Sequence, residues 1–361
     1  MDAFEYQSNP SRVIFGSGTI NRVPDELVRL NLSKPLILCT PQQVGQAETL
    51  RDILAGNSKL AVAGLFSEAA MHTPVEVTDR ALERLRASAA DCVVSIGGGS
   101  TTGLGKALSV RTGLYHLTIP TTYAGSEMTP ILGETDGGRK TTRSDPAVLP
   151  GTVVYDVALT LTLPAALSAT SGVNAIAHAV EALYARNANP VTNLLAREGV
   201  RALAAALPEL AADPSSGPAR SAALYGAWLC GTCLGGVGMA LHHKLCHALG
   251  GALGLPHAET HTVVLPHALA YNAPEVPAAM RALAEVLPGS GGDAIHGLNV
   301  LLDRLPVKRG LKDLGMREAD IDRAAEAALS SPYWNPRQIE KKPIRELIRR
   351  AWAGEPARAD L

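Results

Sequence analysis

Through its first 150 residues the chain alternates short apolar runs with amphipathic segments, and this rhythm leaves few folds open. RVIFG (12–16), PLILCT (35–40), LAVAGLF (60–66), DCVVSIG (91–97) and YHLTIP (115–120) read as strands. Helical patterns lie between them, clearest in VEVTDRALERLRASA (75–89). Strands separated by helices pair in parallel through crossovers, so the expected fold is an α/β, doubly wound parallel sheet. ILGETDGGRKTT (131–142) reads as a hairpin turning at Asp136-Gly137-Gly138, and VVYD (153–156) closes the sheet.

From about residue 160 the strand signals almost vanish, and Ala, Leu and Gly dominate. Segments such as NLLAREGVRALAAALPEL and PIRELIRRAWAG are helical, joined by turn-rich AADPSSGPA (211–219) and PGSGGD (288–293). The expectation is an α/β domain over 1–160 and an all-helical domain over 161–361, a length sufficient for two cores. A formal net charge of -1, with no Lys/Arg run, argues against nucleic acid or an anionic membrane as partner. MDAFEYQSNPSRVIFG has no apolar signal region, and no run approaches the ~20 apolar residues of a membrane span. A cytoplasmic location is therefore expected. Five cysteines include a Cys230-x-x-Cys233 pair, but within apolar helix rather than after a strand, so buried thiols are expected there and not a redox centre.

DCVVSIGGGSTTGLGKAL runs a strand into Gly97, Gly98 and Gly99, then Ser100, Thr101 and a helix. Glycines allow close backbone approach, and the N–H groups of a helix start suit a phosphate. The pattern is neither G-x-G-x-x-G nor a P-loop, and a plain tight turn would also use three glycines. A second loop, IPTTYAGSEMTP, adds the hydroxyls of Thr121, Thr122 and Ser126. Strand 35–40 ends in Thr40-Pro41 with no acidic residue to grip a ribose 2′-hydroxyl, so both NADH and NADPH are expected to bind.

Seven of the ten histidines lie between 178 and 267. Asn174 and His178 stand at i and i+4, as do His243 and His247, with His257 ten residues on and His261 and His267 behind. Such spacing builds first-row metal sites, although Asn174 gives a cation an oxygen without charge. Core hydrogen bonding explains one or two of these rings, His261 and His296 being the candidates, but not seven. The cluster is where chemistry is expected.

In combination, GGGS (97–100), IPTTYAGSE (119–127), GVNAIAHAVEA (172–182) and His243, His247 and His257 resemble the group III, iron-containing alcohol dehydrogenase superfamily, over nearly the whole chain. The resemblance implies a dinucleotide-binding α/β domain and a helical domain, with the site in the cleft between them. Metal-binding members carry Asp at the position of Asn174, with histidines matching His178, His243 and His257, and many carry Asp at the position of Gly103. FEYQSNPSRVIFG, GGGSTTGLGKA, GRKTTRSDPAVLP and the late Tyr333 to Arg337 are similar to one branch, held to work without bound metal. Members of that branch use NADH or NADPH to saturate the carbon–carbon double bond of a 4-oxo-hex-2-enedioate.

That likeness implies a small dicarboxylate substrate and no metal. His243 is then placed first as proton donor, with His178, His247 and His257 contacting carboxylate and enolate. Lys140 matches a family lysine near the cofactor, and Arg143 has the fork of donors that suits a carboxylate; solvated hairpin charge is the alternative for both. Tyr333 and Arg337 join Asn174 as substrate-side candidates, with a helix-capping loop as the other reading. A homodimer is the default assembly. The rival functions are a metal-dependent dehydrogenase of small alcohols or aldehydes, a lyase or glycerol phosphate dehydrogenase of the wider fold, and a non-catalytic nucleotide-binding protein.

Overall fold

A computed structural model describes residues 3–330 and 332–361. The chain divides into two compact units, Ser8–Leu163 and Pro164–Leu361, the latter counted with the segment before Ser8.

The first unit contains strands β1 (Arg12–Gly16), β2 (Pro35–Leu38), β3 (Gly64–Phe66), β4 (Cys92–Gly97), β5 (Tyr115–Pro120), β6 (Ile131–Asp136), β7 (Arg139–Ser144) and β8 (Thr152–Asp156). Its helices are α1 (Val23–Arg29), α2 (Val44–Ala55), α3 (Val75–Ser88) and α4 (Gly99–Thr112). Six strands form a parallel sheet in the order β1-β8-β5-β4-β2-β3. Helices cover both faces because side chains alternate along each strand: Ile37, Val94 and Ile96 enter one core, while Leu36, Leu38 and Val93 enter the other. The run 60–66 is strand only from Gly64, so it makes a short edge. β8 comes last in sequence yet lies inside the sheet, between β1 and β5. β6 and β7 form a separate antiparallel ribbon, turning through Gly137 (φ 51°) and Gly138 (φ 81°), the left-handed pair a tight hairpin demands.

β2 connects outward to β3, whereas its neighbour β4 connects the other way, to β5. Their carboxyl ends therefore border the crevice where such sheets bind ligands.

The second unit is helical throughout: α5 (Ala165–Ala182), α6 (Pro190–Ala212), α7 (Gly217–Gly236), α8 (Leu241–Leu253), α9 (His257–Asn272), α10 (Pro277–Val286), α11 (Ala294–Asp303), α12 (Ile321–Leu329) and α13 (Lys341–Ala353). Leu241, Leu245 and Leu249 of α8 pack with Val264 and Ala268 of α9 and with Ile344, Leu347 and Ile348 of α13. Every residue of α5 from Ser168 to Ala182 is buried, so any polar group it carries needs a partner inside the protein. Among the described residues no single helix is long and apolar enough to cross a membrane. Cys230 and Cys233 are free and buried on α7, and burial pushes both thiols up, Cys233 to about 12, which is the inert state expected of them.

Candidate active site

In the first unit, the glycine turn lies at the end of β4. Gly97 has φ +153°, and a Cβ there would sit 2.4 Å from both Gln43 Oε1 and Thr101 Oγ1, so no side chain fits. Gly98 caps α4, whose first N–H groups have no partner within the helix. Thr101 Oγ1 is buried and lacks a hydrogen-bond partner. Gln43 braces the turn: Thr40 Oγ1 donates to its Oε1 (3.0 Å), and its Nε2 donates to Thr121 Oγ1 (2.7 Å). Thr122 lies against Gly98, 3.0 Å from where a Cβ would stand. A side-chain-free turn, an open helix start and an orphaned hydroxyl fit the pyrophosphate of NADH or NADPH.

Gly103, where an Asp is common in the superfamily, has no room for one. A Cβ would meet Thr73 Oγ1 at 2.3 Å, and Thr73 is itself held at φ 47°. Lys106, one turn on, is fully buried. Its Nζ donates to the carbonyls of Ser126 (2.6 Å), Thr129 (2.8 Å) and Ile131 (2.8 Å), stapling the hydroxyl-rich loop to α4, while burial pulls its pKa down to about 7. Lys140 and Arg143 lie on β7, whose six residues are all exposed.

In the second unit the histidines of α5, α8 and α9 converge. His178 Nδ1 lies 2.8 Å from His243 Nε2, and Asn174 Nδ2 lies 3.3 Å from His178 Nε2. His243 Nδ1 lies 2.7 Å from Glu181 Oε2. Asn174, His178 and Glu181 follow one another at i, i+4 and i+7, on one face of α5. Glu181 also caps α8 from outside, accepting the backbone N–H groups of Ala240 (2.9 Å), His242 (2.7 Å) and, more loosely, His243 (3.4 Å). These donors favour its anion at a helix N-terminus, and burial pushes the carboxyl the other way, upward.

His242 Nε2 points to the carbonyl of His261 (3.0 Å). The His257 ring is 4.2 Å from that of His261 and 6.3 Å, stacked, from that of His247. His247 is exposed and His257 half-buried, whereas His178, His242, His243 and His261 are enclosed. His261 is a correction to the expectation of a hydrogen-bonded core ring, since neither of its buried nitrogens has a partner. His296 lies exposed on α11 and is not a core residue at all.

The late loop adds Tyr333, 5.5 Å from Lys244 Nζ, with its hydroxyl buried and unpartnered. Asn335 fastens this loop, accepting from Leu241 N (3.3 Å) and donating to Asn272 Oδ1 (2.7 Å). Arg337 is committed elsewhere: it donates to the carbonyls of Tyr271 (2.7 Å) and Leu361 (2.6 Å) and stacks on the Tyr271 ring. That geometry makes it a staple of the loop.

At the superfamily's ligand positions Asn174 brings a cation no charge, and His178 Nδ1 and His243 Nε2 lie within hydrogen-bond distance of each other. His242, His243 and His261 have ring nitrogens within 4.8 Å of one another, but both nitrogens of His243 are already engaged.

Burial also lowers the ring pKa values, that of His116 to about 3 and those of His242 and His267 to about 4. Unfolded, the same rings titrate near 6.5, so the unfolded chain binds more protons as pH falls. Stability held above pH 6.5 is therefore lost towards pH 4, at up to about 1.4 kcal/mol per ring per pH unit. Glu127 and Glu181, pushed upward by burial, offset part of this. Melting temperature is expected to fall between pH 7 and 5; a flat profile would show the rings charged in the fold.

Residues 10–157 match the iron-containing alcohol dehydrogenase family, and residues 168–352 match the C-terminal domain of the same family. The chain belongs to the iron-containing alcohol dehydrogenase family and is an oxidoreductase. Within that family it is similar to maleylacetate reductases. It is 54% identical over 354 residues to the maleylacetate reductase of Rhizobium sp. (strain MTP-10005), covering 98% of this chain and 99% of that one. Maleylacetate reductase 1 of Rhodococcus opacus is 52% identical, covering 97% of each. The crystal structure of maleylacetate reductase from Agrobacterium tumefaciens superposes with a TM-score of 0.94 at 54% identity, covering 99% of this chain and 100% of that one.

Proposed function

We propose that this chain is a maleylacetate reductase that uses NADH or NADPH and works without a metal. The observation that carries the reading is the histidine cluster with an amide, Asn174, where metal-binding relatives have a carboxylate. Similarity to maleylacetate reductases along the whole chain supports it. Bound at Gly97, Gly98, Gly99, Ser100 and Thr101, with Thr121, Thr122 and Ser126 beside them, NAD(P)H supplies the hydride.

Saturating a double bond conjugated with a ketone leaves an enolate, which needs donors to hold it and an acid to protonate the second carbon. Imidazoles do both near neutral pH. Exposed His247 and half-buried His257 present rings to the dicarboxylate, while His178 and His243 stand behind them. With Nδ1 at Glu181 and Nε2 at His178, His243 orders the cluster and the donor role moves outward to His247. Tyr333, Lys140 and Arg143 are proposed as further contacts for substrate or cofactor, and a cytoplasmic homodimer as the working form.

The test is metal analysis of the purified protein, paired with maleylacetate-dependent oxidation of NADH and of NADPH, with and without chelator. Sub-stoichiometric metal with chelator-resistant reduction is expected. One tightly held metal per chain, with activity lost on chelation, would restore the metal-dependent alcohol dehydrogenase.

A further inference from the structure

Glu181 is a carboxylate hydrogen-bonded within the histidine cluster, and it is completely buried. Its surroundings set the placement of protons on its neighbours. His242 Nε2 faces a carbonyl, which only accepts, so that nitrogen carries the hydrogen and His242 Nδ1 is a lone pair. This lone pair lies 3.4 Å from His243 Nδ1. The carboxylate lies on the same nitrogen at 2.7 Å. Two independent acceptors thus require the proton of His243 on Nδ1. Its Nε2 must then accept, and the partner 2.8 Å away, His178 Nδ1, must donate. His178 Nε2 is left as an acceptor, met by the amide N–H of Asn174 at 3.3 Å. Every N–H in the series points one way, from Asn174 through His178 and His243 to Glu181. The amide oxygen of Asn174 ends the series as a buried acceptor without a partner.

We propose that Glu181 is a positioning residue for the reduction: by taking the Nδ1 proton of His243 it fixes the tautomers of His243 and His178 and turns the Asn174 carbonyl oxygen into a fixed acceptor. The proposal rests on the reading of the histidine cluster as the reduction site. It also accounts for Asn at position 174. A carboxylate there would set an oxygen lone pair against the lone pair of His178 Nε2, whereas the amide supplies the hydrogen that closes the series. A ligand whose N–H or O–H meets Asn174 Oδ1 would pair this buried acceptor. Loss of the partner that orients a metal-bound imidazole typically costs 10–100-fold, and a loss of the same order is expected for the orienting partner here.

The experiment uses the full chain with 15N-labelled histidine. Two-bond proton–nitrogen correlation is expected to show His243 and His178 both protonated on Nδ1. A proton on Nε2 of His243 would overturn the proposal without any assay. In Glu181→Gln the His243 pattern is expected to become mixed, and kcat to fall by about 50-fold with KM changed less than about threefold. Wild-type kcat in a folded Glu181→Gln protein would also overturn it. His247→Ala separates the two readings. If it is impaired while Glu181→Gln is not, only the role of Glu181 fails; if neither is impaired, the histidine cluster is not the reduction site.

Discussion

Replacing His243 by Ala is expected to lower kcat/KM for maleylacetate by on the order of 10²-fold or more. The ring is 7% exposed and joins three others: Glu181 at Nδ1, His178 at Nε2, and His242 beside it. Removal leaves a buried carboxylate one donor short and takes away the partner of His178 Nδ1. The loss should fall mainly on kcat, because enclosed His243 supports the cluster while His247 and His257 hold the open positions. A cavity and an unpaired acceptor together should cost roughly 3 kcal/mol of stability, so the assay belongs well below the melting temperature. Steady-state and single-turnover kinetics provide the check, and a change of only a few-fold would remove His243 from the reduction site.

Asn174→Asp has the second large effect. The side chain is 4% exposed, so the new carboxylate would be buried facing the lone pair of His178 Nε2. Two outcomes relieve this clash, protonation of His178 on both nitrogens or entry of a divalent cation between them. Metal-free activity is expected to drop at least about tenfold as the N–H series breaks. Melting temperature should fall by on the order of 5 °C in chelator and recover with added Zn²⁺ or Fe²⁺, since a ligand bound only by the folded state raises stability. Elemental analysis should then find close to one metal per chain. Unchanged activity and no metal-dependent melting shift would show that the amide hydrogen at this position does nothing for the cluster.

Much of the fold was legible because local patterns survive in a single sequence: the continuous apolar runs of the fully buried β2 and β4, the Gly137-Gly138 turn, and the loss of strand patterns after β8. The length of β3 was not, since LAVAGLF is apolar throughout and only pairing with β2 decides where the strand begins. The histidines announced themselves by number and spacing. Glu181 stood in plain view in HAVEA, three residues after His178, but its significance depends on α8 starting against it, which no local pattern encodes. His261 was misread for the same reason, because a buried imidazole is ordinarily satisfied and only tertiary placement shows that this one is not. Gln43 and Lys106 escaped notice as single polar residues, and their partners lie 78 and 20 to 25 positions away. Arg337 carried the signal of a substrate ligand but is held by the main-chain oxygens of Tyr271 and Leu361.

All five cysteines are free thiols under cover, Cys39 and Cys92 in the first unit and Cys230, Cys233 and Cys246 in the second. A thiol reagent added to the native protein therefore reacts only when the surrounding core opens. Labelling followed by peptide mass mapping would time the opening of each half of the chain separately, with no reporter introduced and no residue changed.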